Sequence, residues 1–190
     1  HLPGFAPGYV GGAAPRGEIA PRVFEATRLA PTQIIGLHQE MAYMPHYPAR
    51  LAFFCRKAPV SGGETLIADM RKVTATLPAA FVETMEARGV LYTRNFRDRD
   101  VGTGNPYLDI YHIAWQNAFQ TTDRDKALAD CAAMGLDAEW RADGSLNAAY
   151  RARGLIDHPA TGERLWFNQI ATQQMNARNG GEHYPQFVAH

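Results

Sequence analysis

Ile34-Ile35-Gly36-Leu37-His38-Gln39-Glu40-Met41-Ala42-Tyr43 is the stretch on which the reading of this chain turns. Its apolar residues Ile34, Ile35, Leu37, Met41 and Tyr43 predict a strand over 33–43. Side chains alternate across a strand, so His38 and Glu40, two apart, would project from one face, with Leu37, Gln39 and Met41 on the other. A His and a carboxylate so placed can bind one metal from one side and leave the opposite positions open. Taken alone, His-x-Glu also occurs where a hydrogen-bonded histidine merely neighbours a surface glutamate.

Downstream, Arg50 to Cys55 reads as a buried second strand, and Gly62-Gly63 marks a turn before a third candidate strand, Glu64 to Ala68. Asp69 can cap a short helix. Pro78 opens another, with Phe81, Val82 and Met85 as its apolar stripe and Gly89 as its stop. Val90 to Arg94 resumes as a strand, and the polar, Gly- and Pro-containing run Asp98 to Tyr111 predicts a long surface loop. Thr122 can cap a helix running to Met134, with Leu128, Cys131 and Met134 at helical spacing and Gly135 as its end. Glu139 to Asn147 around Asp143-Gly144 reads as a hairpin, and Thr161-Gly162 as a turn before the strand-like Leu165-Trp166-Phe167. Upstream, His1 to Arg22, rich in Gly, Pro and Ala, reads as loop. Many short strands with a few outer helices favour a β-sandwich or barrel with helical cover over a parallel sheet.

Composition sets outer limits. A chain of 190 residues, 46% hydrophobic, suits one domain with a real core. Lys plus Arg and Asp plus Glu both total 19, so no global charge draws the protein to nucleic acid or an acidic membrane. Cys55 and Cys131 form neither a disulfide scaffold nor a CxxC pair, and both are expected as reduced, buried thiols. The longest apolar runs, such as Leu51 to Cys55, fall far below the ~18 residues of a membrane span, and no signal pattern opens the chain; a cytoplasmic location is the expectation.

Several stretches together resemble the TauD/TfdA (taurine dioxygenase-like) superfamily: Leu37 to Tyr43, Pro48, Leu51 to Cys55, and Gly62-Gly-Glu-Thr-Leu-Ile-Ala-Asp69. The likeness continues through Gly89-Val-Leu-Tyr92 with Arg94-Asn95, Trp115-Gln116 with Phe119 to Thr121, and His158-Pro-Ala-Thr-Gly-Glu163 to Trp166-Phe-Asn-Gln169. It implies a double-stranded β-helix (jelly roll) with helical cover, and one oxygenase domain over 1–190 that lacks family segments at both ends. By position it assigns iron ligation to His38 and Glu40 and 2-oxoglutarate binding to Thr65. A Thr65 hydroxyl can donate to a carboxylate where Gly62 and Gly63 allow close backbone approach. Glu at the carboxylate position resembles the clavaminate synthase-like branch and some amino-acid β-hydroxylases. Halogenases of the family carry a small residue there, so Glu40 points to hydroxylation.

The implied activity is Fe(II)- and 2-oxoglutarate-dependent hydroxylation of an unactivated C–H bond in a small molecule, with a free or carrier-tethered amino acid as preferred substrate. The family's third iron ligand, a late His followed by an Arg that pairs with 2-oxoglutarate, has no match. Of the other histidines, His1, His46, His112, His158, His183 and His190, only His183 and His190 come late enough. Two other readings stand beside this one. A non-catalytic jelly-roll binding protein would have lost the complete metal site. A zinc hydrolase would use His38 and Glu40 to activate water but would give Gly62 to Thr65 no part. Trp166, Phe167 and Asn168 either line a pocket or fill the core; Tyr43, Arg94 and Asn95 receive no role.

Overall fold

Apolar alternation in two seven-residue strands builds the main sheet. The computed structural model describes residues 17–21, 23–26, 35–105, 109 and 112–173. Two small elements come first, the antiparallel strands β1 (Glu18–Ala20), within the stretch expected as loop, and β2 (Val23–Phe24), just beyond it. The longer strands are β3 (Val90–Phe96) and β5 (Leu146–Ala152), with β4 (Asp137–Trp140) between them in sequence. β3 and β5 pair antiparallel with Val90 opposite Ala152, Tyr92 opposite Tyr150 and Phe96 opposite Leu146, so these side chains share one face. Val90, Tyr92 and Phe96 are buried there, as are Leu146, Ala148 and Ala152, while Leu91 on the reverse face is exposed. β4 pairs with the other edge of β5, giving the order β3-β5-β4.

The hairpin between β4 and β5 turns where expected. Asp143 Oδ1 accepts from Ser145 N at 2.9 Å and Ser145 Oγ at 2.7 Å, and Gly144 takes φ 82°. A second hairpin joins β6 (Leu155–Asp157) to β7 (Arg164–Trp166) through Thr161-Gly162.

Helices close the buried face. α1 (Met70–Ala75) is capped by Asp69, as read from the sequence, with its carboxylate accepting from Arg71 N. α2 (Ala79–Arg88) follows Pro78, buries Met85 and ends at Gly89. Gly89 sits at φ 67°, and a Cβ there would lie 2.5 Å from Ala152 O, so only glycine fits where α2 hands over to β3. α3 (Trp115–Ala118) is short and buried. α4 (Arg124–Ala133) buries Ala127 and Cys131, and its cap is Asp123 rather than the expected Thr122. α5 (Ile170–Gln173) follows β7. Edge-to-face pairs, Phe96 with Phe119 and Trp115 with Trp140, join helices to sheet.

Three expected strands are absent from the described residues. Residues 35–39 are irregular and 40–43 form a turn, with Met41 at φ 55°. Met41, Ala42, Tyr43 and Met44 are all buried, and four consecutive inward side chains cannot come from a strand that alternates. Arg50 to Cys55, expected as a buried strand, and Glu64 to Ala68, expected as a strand, are both irregular and exposed, Phe54 at 90% and Ile67 at 89%. Their residues favour a pleated, half-buried surface, but no described strand lies beside them to supply the ladder. Cys55 is accordingly exposed, against expectation, while Cys131 is buried and its thiol is pushed up to about 11 chiefly by that burial. Both cysteines are free. The architecture is thus a mixture of short helices and antiparallel sheets around one core.

Candidate functional site

Gly36, with no side chain, precedes His38 by two residues and supplies the contact that decides the ring's chemistry. His38 Nδ1 lies 2.8 Å from Gly36 O. A carbonyl oxygen only accepts, so Nδ1 carries the proton in this bond and the neutral ring has its lone pair on Nε2. Nε2 is the nitrogen that faces Glu40, at 3.8 Å from Oε2. The His38 side chain is 33% exposed and that of Glu40 12%, so the pair stands at the surface with the carboxylate largely enclosed.

This donor set suits a divalent metal. At first-row bond lengths of about 2.1 Å, two ligands of one ion lie no more than about 4.2 Å apart, and the observed separation is within that reach. A backbone carbonyl on the other imidazole nitrogen is the usual arrangement that fixes a ligating tautomer. Among the described residues no third His, Cys, Asp or Glu joins the pair. His183 and His190, the late candidates, lie outside the described residues, as does His1.

The segment carrying the pair is held by Gln39, the residue between them. Its Nε2 donates to Trp166 O and approaches Met70 Sδ, each at 3.3 Å, and its backbone carbonyl accepts from Gln169 Nε2. Gln169 N in turn donates to Tyr92 Oη at 2.7 Å, tying the segment to β3. Burial is the chief cause of the raised Tyr92 phenol pKa, which keeps the hydroxyl neutral. Sequence reading placed Gln39 on the strand face opposite His38 and Glu40 and Gln169 only in a family stretch; their contact spans 130 residues, and no local signal pointed to it.

Thr65 is exposed in the irregular chain between Gly62 and Asp69, and no hydrogen bond or ion pair links it to His38 or Glu40. Of the three expected residues, His38 and Glu40 approach one another, and Thr65 makes no bond to either. Gly63, at φ 83°, packs so tightly on Pro59 that a Cβ would come within 2.5 Å of its ring.

Asn168 is buried and locally bonded: its Nδ2 donates to Gly154 O at 2.9 Å and its Oδ1 accepts from Ile170 N. Trp166 packs on Phe81 and Phe167 on Tyr47, which favours the core reading of these aromatics. Arg94 stacks against Tyr43 and Phe96, and burial lowers its pKa. His158 Nδ1 accepts from Ala160 N and Thr161 N inside the β6–β7 turn, as a turn residue should. No helix among the described residues is long and apolar enough to cross a membrane.

Residues 9–189 match the family profile described as taurine catabolism dioxygenase TauD, TfdA family. The chain is 33% identical over 166 residues to a clavaminate synthase-like protein of Arabidopsis thaliana, covering 85% of this chain and 49% of that protein. It is 29% identical over 155 residues to the dapdiamide synthesis protein DdaC of Enterobacter agglomerans, covering 82% of this chain and 44% of that one. The chain spans about half the length of the curated relatives it matches.

Proposed function

This chain belongs to the taurine catabolism dioxygenase TauD, TfdA family, and on that premise we propose that it is part of an Fe(II)- and 2-oxoglutarate-dependent hydroxylase of small molecules. In this reading residues 1–190 lie within a single oxygenase domain of jelly-roll type, the antiparallel sheet belonging to that framework. His38 Nε2 and Glu40 are the iron ligands of this chain, and Thr65 binds 2-oxoglutarate. A free or carrier-tethered amino acid is the preferred substrate class, from the resemblance of His-x-Glu to amino-acid hydroxylases and in keeping with a relative named for dapdiamide synthesis.

The observation that carries the reading is the His38 geometry: Nδ1 on Gly36 O and Nε2 toward Glu40. Bound Fe(II), with 2-oxoglutarate and oxygen, supplies the oxidant that turns R–H into R–OH while 2-oxoglutarate becomes succinate and CO2. The chain's own task is narrower. Gly36 O holds the His38 proton on Nδ1 and so keeps Nε2 available as a neutral donor. Glu40 contributes an anionic oxygen that offsets the metal's charge, and its partial enclosure keeps competing water from that oxygen. Thr65 would donate its hydroxyl to a carboxylate of 2-oxoglutarate.

The test is succinate formation from 2-oxoglutarate in the presence of Fe(II), oxygen and a panel of amino acids. Succinate above background that is lost in both His38→Ala and Glu40→Ala supports the reading. Succinate unaffected by either substitution overturns the ligand assignment, and no succinate alongside tight binding of a panel compound favours the non-catalytic binding protein.

A further inference from the structure

His38 and Glu40 lie in neither a helix nor a strand, so no regular ladder fixes their relative direction. The peptide between them is nonetheless the most tied point of the segment. Gln39 O accepts from both Ala42 N and Gln169 Nε2, filling the two lone pairs of the carbonyl. The Gln39 side chain reaches the same segment three residues earlier, onto Trp166 O.

The anchor at the far end is rigid. Gln169 is 6% exposed, its backbone N–H is engaged by the buried Tyr92 hydroxyl, and Trp166 N donates to Thr74 Oγ1 at 2.9 Å. Contacts 127 and 130 residues apart in sequence thus converge on the single residue that separates the two donors. A buried amide used in this way is expensive to keep unless it holds something in place, because a glutamine left partly unpaired in the interior is destabilising.

Building on the iron-ligand reading above, we propose that Gln169 and Gln39 form a positioning clamp that fixes the His38 and Glu40 side chains in the arrangement that binds metal. Neither glutamine touches the ion. Gln169 acts through the Gln39 carbonyl, and Gln39 acts through Trp166. The clamp confines the peptide between the donors, so the entropy of aligning them is lost on folding rather than on metal binding.

The probe is Co(II) alone, titrated anaerobically into the full chain and followed by its visible absorption. Four variants are compared with the parent: His38→Ala, Gln169→Met, Gln39→Leu and Leu155→Ala. Gln169→Met keeps the length of the side chain and removes the donor. Leu155→Ala removes a core side chain of β6, 1% exposed, and serves as a control for loss of stability alone.

The clamp predicts that Gln169→Met weakens Co(II) binding by about tenfold to a hundredfold, the range typical of groups that orient metal ligands. Leu155→Ala, though less stable, should bind as the parent does. Should Gln169→Met fail to fold, Gln39→Leu carries the same test, with weaker Co(II) binding as its expected result. Parent-like affinity in a folded Gln169→Met overturns the clamp while the loss of binding in His38→Ala leaves the ligand assignment intact. Equal weakening in Leu155→Ala and Gln169→Met also overturns it, since the effect would then be one of stability. Parent and His38→Ala binding alike would remove the ligand assignment itself, and the clamp with it.

Discussion

The imidazole of His38 has its nitrogens distinguished by one backbone oxygen, and the same kind of local hydrogen bonding sets the charge of Asp98. The Asp98 carboxylate accepts from Asp100 N at 2.8 Å, Gln116 Nε2 at 3.1 Å and Trp115 Nε1 at 3.3 Å. These bonds, the Asp100 backbone first, hold its carboxyl below the ordinary value of 3.8. A pKa depressed by folding stabilises the protein above the unfolded value, and that stability is lost as pH falls through the folded one. Asp98→Asn should therefore lower the thermal midpoint near neutral pH and narrow its gap to the parent below about pH 4. Parallel midpoint curves across that range would contradict the assignment. At this scale the approach of His38 to Glu40 was legible, because two residues two apart in sequence are neighbours whatever the fold. Gln169 was not, since its partner Gln39 lies 130 residues away and only the fold brings them together.

Helix ends and hairpins were the most legible elements, because their signals are local too: Asp69 before α1, Gly89 after α2, Gly135 after α4 and Asp143-Gly144 between β4 and β5. The start of α4 slipped by one residue. Thr122 and Asp123 both have capping side chains, but it is Asp123 Oδ1 that accepts from Asp125 N at 2.9 Å and Lys126 N at 3.1 Å. Asp123→Ala should cost about 1 kcal/mol in urea unfolding, whereas Thr122→Ala should stay within about 0.5 kcal/mol. Equal losses would return the cap to Thr122. Strands were read less well. β3 was read over Val90 to Arg94 and β5 only at its start, as the end of the Glu139 to Asn147 hairpin, while Arg50 to Cys55 and Glu64 to Ala68 carry strand-like residues with no described neighbour to pair with.

Across the whole molecule, those two segments give the described surface an unusual character. Phe53, Phe54, Val60, Leu66 and Ile67 are each at least 72% exposed within fifteen residues of one another. Apolar side chains gathered in this way favour association. Phe54→Lys combined with Ile67→Lys should reduce concentration-dependent light scattering and leave the thermal midpoint unchanged, because neither residue belongs to the buried core. A fall in the midpoint would mean that these side chains pack in solution. Neutral overall charge agrees with this view, as 19 cationic and 19 acidic side chains offer little net repulsion between copies.

The central claim, that His38 and Glu40 hold iron together with 2-oxoglutarate, is tested most directly by anaerobic addition of Fe(II) and 2-oxoglutarate to the purified chain and to His38→Ala. The account predicts a weak visible metal-to-ligand charge-transfer band in the parent that is absent in the variant. No band in the parent, or a band of equal strength in both, would contradict it.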